Sequence, residues 1–190
     1  MLAGLLVDLV PYGRAHQARD HAWWNNESSF WASMGEREIV SQAAVERRHR
    51  EWVEPDQPRT GVAFGVQTKD GTPIGYFGIN FLSYHHRVAN LGANISEPGY
   101  WGGGYGTDAL LLIVDYAFNW LDMRRVWLGT MGLNARVLRQ MEKVGFVLEG
   151  RLRRMTLADG QWYDEVIYGL LREEWPGRQA MIERLGLHAR

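Results

Sequence analysis

The sequence predicts an α+β domain built on a mixed, mostly antiparallel central sheet of about seven strands. Two hairpin signals and one glycine-rich loop carry that expectation. The hairpin signals are Asp70-Gly71 and Asp159-Gly160, each lying between two strand-like runs. Between them, Gly102, Gly103, Gly104 and Gly106 precede Thr107 and a helix whose Leu110, Ile113, Val114, Ala117, Phe118 and Leu121 share one face. A strand on each side of that helix makes a β-α-β crossover, hence one parallel pair in an otherwise antiparallel sheet.

Leu5 to Val10 reads as a strand stopped by Pro11. The polar and aromatic mixture from Arg14 to Met34 reads as one helix to about Asn25 followed by an irregular loop. Ser41 would cap a helix reaching Trp52, with Val45, His49 and Trp52 on one face and the charged run Glu46 to Glu51 on its solvated side. Pro55 and Pro58 mark a loop. Gly61 to Thr68 and Ile74 to Phe81 form the first hairpin, for which a tight primed turn with positive φ is expected. Val88 to Ile95 follows as a strand, with Leu91, Ala93 and Ile95 alternating against Asn90, Gly92 and Asn94.

Beyond the glycine-opened helix, Arg125 to Thr130 is the second strand of the crossover. Asn134 can cap a short helix with Val137, Leu138, Met141 and Val144 on its apolar side and Gly145 just past its end. Phe146 to Leu157 and Trp162 to Leu171 are the second hairpin, and Arg178 to Leu185 a last helix after Pro176.

Composition narrows the function. The length of 190 residues suits a single domain, 1–190. A formal net charge of -1 argues against a general nucleic-acid or anionic-membrane binder. The absence of cysteine excludes disulfides, cysteine-based zinc sites and thiol catalysis, and fits a reducing cytoplasm. The apolar run Ala109 to Val114 is far short of a membrane span, and Met1 to Val10 lacks the basic start of a signal peptide.

A glycine-rich turn opening a helix leaves backbone N–H groups unpaired at the positive end of the helix dipole, which suits an anion and above all a phosphate. A flexible turn before a core helix is the other reading. Gly104 to Ala109 formally satisfies the dinucleotide pattern G-x-G-x-x-G/A, but an antiparallel meander precedes it where that fingerprint needs a first parallel β-α turn. No Lys-Ser or Lys-Thr pair follows the glycines, so a P-loop is excluded.

Ile95-Ser96-Glu97-Pro98 and the run Tyr100 to Leu110 resemble the acetyl-CoA signature of GNAT-type N-acetyltransferases. Asn134 through Phe146 resembles that family's second landmark. Glu149 to Arg153 and Asp159 to Glu165 are similar to the branch around ribosomal-protein and spermidine acetyltransferases. The resemblance covers nearly the whole chain and is strongest from Ile95 to Trp175. It implies a three-layer fold with helices on both sheet faces and a splayed parallel pair, with a bulge near Ile95. Acetyl-CoA is the implied co-substrate, with no metal.

By that resemblance, Gly102, Gly103, Gly104, Tyr105, Gly106 and Thr107 would cradle the CoA pyrophosphate. Asn94, Ile95 and Ser96 would pair with the pantetheine arm as an added strand, and Asn134 and Lys143 would also contact the cofactor. A plain N-cap remains an equal reading of Asn134. Trp101 stands at the family's glutamine or arginine position and would pack in the core or against the cofactor.

The implied reaction is direct attack of a primary amine on the thioester in a ternary complex. The acceptor would be a peptide or protein N-terminus, a polyamine or another small amine. For an alkylammonium of pKa about 10.4, on the order of 0.1% or less is neutral at pH 7, so a proton must be removed. Glu97 is the candidate base, with a solvent-facing turn residue as its plainer reading. The family's tyrosine and serine acid positions hold Met141 and Val137, leaving Tyr168 or solvent. Glu27, Trp31 and Tyr84, with Trp23 and Trp24, fall in segments that flank the acceptor cleft of the family, where they would bind substrate or simply pack. His85 and His86, as neighbours on a strand, would point to opposite faces and bind no metal. A homodimer is a further expectation. A catalytically silent CoA-binding sensor or interaction module is the second functional reading.

Overall fold

The two Asp-Gly turns set up the sheet. Asp159 and Gly160 both take positive φ, 46° and 77°, as a primed two-residue turn requires. At the first hairpin Gly71 has φ 86°, while Asp70 stays outside the left-handed region. That turn is therefore wider than expected: the Gly71 N–H donates to the Thr68 carbonyl at 2.9 Å, and the Asp70 carboxylate accepts from the Thr72 N–H at 3.2 Å. Asp70 folded back on its own turn takes the place of the second left-handed residue.

A computed structural model describes residues 1–53 and 61–189. Strands β1 (Leu2–Ala3), β2 (Val7–Pro11), β3 (Val62–Thr68), β4 (Pro73–Ser83) and β5 (Val88–Ile95) run antiparallel, each to the next. Strand β6 (Arg125–Met131) lies parallel to β5, and β7 (Val147–Ala158) and β8 (Gln161–Leu171) complete the order β1-β2-β3-β4-β5-β6-β8-β7. Among the described residues eight strands thus replace the seven expected, because the two-residue β1 is too short to show alternation. Pro11 is the last residue of β2 and still pairs with Phe64.

Helices α1 (Arg14–Trp24), α2 (Glu27–Ala32) and α3 (Gln42–Val53) lie in the connection from β2 to β3. The loop expected after Asn25 is helical instead, because the Asn26 side chain accepts from the Ser28 N–H at 2.7 Å and caps α2. Ser41 caps α3 through the Ala44 N–H at 3.3 Å, and Val45 is buried beneath it. The side chains of His49 and Trp52, and Pro55 and Pro58, lie outside the described residues. Helix α4 (Tyr105–Asn119) carries the crossover from β5 to β6, and α5 (Ala135–Val144) and α6 (Arg178–Leu185) follow.

Two neighbouring residues of β3 show that helices cover both faces. Phe64 packs edge-on against Tyr116 of α4, with centroids 5.3 Å apart. Gly65, which must face the other way, lies under His16 of α1, where a Cβ would sit 2.3 Å from the imidazole. The main core lies between α4 and the sheet and includes Val66, Phe77, Val126 and Leu170. Leu111 and Leu112, off the predicted stripe of α4, are buried too, because α6 packs on that helix. A smaller cluster of Phe30, Met131 and Ala158, joined by Trp31, Met34 and Tyr163, occupies the face of α2. Burying each large apolar side chain contributes about 1.5–3 kcal/mol.

The parallel pair is short. Strands β5 and β6 meet at Val88↔Arg125, Ala89↔Val126 and Asn90↔Trp127, and then part. The bulge expected near Ile95 lies instead on β4, where Asn80 is the extra residue between Ile79↔Leu91 and Phe81↔Asn90. Its amide rests over Gly92, where a Cβ would come within 2.1 Å, so the glycine makes the bulge possible at that position. His85 and His86 lie in the β4–β5 turn and not on a strand, so their rings meet at 4.7 Å. Among the described residues no cluster of three potential metal ligands forms, and no helix is long and apolar enough to cross a membrane.

Candidate active site

Where β5 and β6 separate, a cleft of about 730 Å³ opens between them. Its floor is the glycine loop. Gly102 and Gly104 take φ 79° and 90°, conformations that cost most other residues about 1–2 kcal/mol. The Asp108 N–H donates to the Gly104 carbonyl at 2.9 Å as the first helical bond of α4. Tyr105, Gly106 and Thr107 consequently have no intrahelical acceptor for their N–H groups, at the positive end of a fifteen-residue helix. A Cβ on Gly106 would stand 3.3 Å from Ile95, so glycine there lets α4 approach the end of β5.

Helix α5 supplies the cleft's cations. Arg136, Arg139, Gln140 and Lys143 follow the spacing i, i+3, i+4, i+7 and all line the cleft. The Gln140 amide donates to Thr107 Oγ1 at 3.3 Å, joining α5 to the start of α4. The Arg136 guanidinium lies 3.8 Å from the centre of the Trp101 ring, and the Trp101 indole donates to the Ile95 carbonyl at 2.7 Å. Burial pushes Arg136 below the ordinary guanidinium value, with Glu27 acting in the other direction. Backbone amides, left-handed glycines and a cationic stripe together fit a polyanionic ligand such as the CoA diphosphate.

Asp108 fastens this floor. Fully buried, it accepts from the Leu6 and Val7 N–H groups at 2.8 and 3.2 Å and pairs with Arg178 of α6 at 3.1 Å.

Of the residues the sequence singled out, Asn94, Ile95, Gly102, Gly104, Gly106, Thr107, Asn134, Lys143 and Trp31 all line the cleft. The Asn134 side chain accepts from the Val137 N–H at 3.3 Å, so it caps α5 as well. Ser96 is buried beside the cleft; its carbonyl accepts from Asn26 at 2.9 Å and its hydroxyl from Asn94 at 3.1 Å. Gly103 stays in the loop off the cleft wall, and Tyr105 stacks edge-on to Tyr100 beside a smaller hollow. Glu27 is exposed at the first turn of α2, and Tyr84 is exposed in the β4–β5 turn; neither lines the cleft.

Glu97 also stands off the wall. Its carboxylate pairs with Arg19 and accepts from the Trp23 indole at 2.8 Å. Burial pushes the carboxyl up, but Trp23 and Arg19 outweigh it and hold Glu97 below the ordinary carboxylate value. Such a carboxylate is a weak base and a good tether between α1 and the end of β5. A folded-state value below the unfolded one of about 4.3 gives stabilisation that is present above that pH and lost as pH falls through the lowered value. Melting curves between about pH 6 and about pH 3 should show a shallower acid loss for Glu97→Gln than for the wild type. Tyr168 is buried in the core away from the cleft, and burial followed by Glu142 pushes its hydroxyl up.

Several cleft residues escaped the sequence reading. Arg136, Arg139 and Gln140 could have been found by extending the Lys143 spacing backwards through α5. Trp127 and Glu165 carried no such sign; register places them, with Glu165 opposite Met131.

A sheet split at its one parallel pair, with a glycine-opened helix at the split, defines an acetyltransferase architecture of the GNAT type. The chain belongs to the acetyltransferase (GNAT) domain family, which it matches over residues 7–147. It is 30% identical over 136 residues to the "Putative ribosomal N-acetyltransferase YdaF" of Bacillus subtilis, spanning 69% of this chain and 73% of that one. It is 30% identical over 97 residues to the spermidine N(1)-acetyltransferase of Escherichia coli K12, spanning 51% and 52%. Its fold is shared with the crystal structure of spermidine N-acetyltransferase from Vibrio cholerae in complex with CoA and spermine. The TM-score there is 0.79 at 21% identity, over 89% of this chain and 97% of the other.

Proposed function

We propose that this protein transfers the acetyl group of acetyl-CoA to a primary amine by direct attack within a ternary complex. One observation carries the reading: the unpaired amides of α4 and the cationic stripe of α5 face the same cleft, where the sheet divides. The V. cholerae structure, which holds CoA and spermine, and the relatives named for N-acetyl transfer support it. Acetyl-CoA brings an activated carbonyl and a thiolate leaving group. The chain's own part is placement. The α4 amides with Arg136, Arg139 and Lys143 hold the diphosphate, and the parted edges of β5 and β6 receive an extended arm. Holding amine and carbonyl in attack geometry then supplies much of the acceleration.

Met141 and Val137 line the cleft without a transferable proton, so neither can protonate the departing thiolate. This same lack favours the second reading, a CoA-binding sensor without turnover. Thiol release from acetyl-CoA against peptides, polyamines and small amines separates the two. Amine-dependent release is expected; calorimetric binding of CoA without release would favour the sensor, and no binding would reject both. In the same titration Arg136→Ala should weaken CoA by roughly 10- to 100-fold, the equivalent of one charged hydrogen bond.

A further inference from the structure

We propose that Glu165 and the indole N–H of Trp31 form the recognition pair for the acceptor, and that they select an α-amine with a neighbouring carbonyl over a polyamine. This rests on the acetyl-transfer reading and names its substrate class. Glu165 is the only acidic side chain among the described residues that line the cleft. The cleft's cations, Arg136, Arg139 and Lys143, all stand on α5. Charge is therefore sorted along the cleft, anion-binding on α5 and cation-binding on β8.

The Glu165 side chain makes no hydrogen bond or ion pair with any described residue. It lies against Gly129 of β6, where a Cβ would sit 2.3 Å from its Oε1, so a larger residue at 129 would displace the carboxylate. Trp31 completes the site. Its Nε1 is buried without a hydrogen-bond partner, and its ring lines the same cleft. The two groups share a sheet face: Glu165 is the cross-strand neighbour of Met131, and Trp31 packs against the cluster that contains Met131.

An unpaired carboxylate asks for a cationic donor, and a buried indole N–H asks for an acceptor oxygen. The first residue of a peptide offers both, an α-ammonium and, two bonds away, a carbonyl. A polyamine at neutral pH offers ammonium groups alone and leaves Trp31 unsatisfied.

The test is calorimetric titration of a short peptide amide with a free N-terminus, and of spermidine, into the protein saturated with CoA. The peptide should bind about tenfold or more tightly than spermidine. Glu165→Gln, isosteric with the original, and Trp31→Phe, which keeps an aromatic ring without the indole N–H, should each weaken the peptide by about tenfold and leave CoA affinity unchanged. Tighter binding of spermidine, or a peptide affinity untouched by Glu165→Gln, would overturn the assignment. The titration reads binding and not turnover, so an absence of acetyl transfer counts against the proposed activity and leaves the pair to stand or fall on its own result.

Discussion

Gly104→Val is expected to weaken CoA binding by roughly two orders of magnitude in a protein that still folds. The residue holds φ 90° at the start of α4, and a β-branched side chain there costs about 1–3 kcal/mol. The added carbon would also meet Leu6 at 3.2 Å and Leu187 at 3.4 Å. Relief of that strain would rotate the peptide planes of the loop, and with them the amides proposed to hold the diphosphate. Two misdirected charge-assisted hydrogen bonds, at about 1.5 kcal/mol each, account for the expected loss. Gly145→Val is the control. Gly145 has φ 98° at the end of α5, meets nothing within 4 Å and stands off the cleft wall. It should lower the melting temperature comparably and leave CoA affinity almost unaltered. Wild-type affinity in Gly104→Val would remove the glycine loop from the binding site.

Asp108→Ala should produce the largest loss of stability. The carboxylate has three partners and no exposure, and removing it strands two backbone N–H groups and the Arg178 guanidinium, whose Nε is already without a partner. Breaking a buried pair by removing one member costs about 3–5 kcal/mol, which in a chain of this size lowers the melting temperature by roughly 10 °C. CoA affinity should fall with it, because Asp108 lies in the first turn of the helix whose amides form the site. Scanning calorimetry reads the first effect. A drop below about 2 °C would show that neighbouring structure closes over the gap.

The strands and crossover were legible because alternation and Asp-Gly turns act locally, on neighbours in sequence. Helix α2 was not, since six residues hold too few turns for a periodic signal and one asparagine decides its start. The bulge at Asn80 leaves no mark on the alternation of β4; it depends on Gly92 in the next strand. In the site, the glycine loop announced itself because backbone freedom is written in residue type. Glu97 sits beside the family signature, yet its role is set by Arg19 and Trp23, 78 and 74 residues away. Glu165 reaches the cleft through register alone, which no spacing within β8 reveals.

The brief contact between β5 and β6 has a mechanical consequence. Five strands lie on one side of it and three on the other, stitched by a seam of three residue pairs and overlaid by α4. The two leaves meet along that seam as the halves of a book meet at its spine. An extended guest lodged between the pages, as the proposed acetyl-CoA arm would be, would supply the missing rungs and stiffen the binding of the book at the same place where it is read.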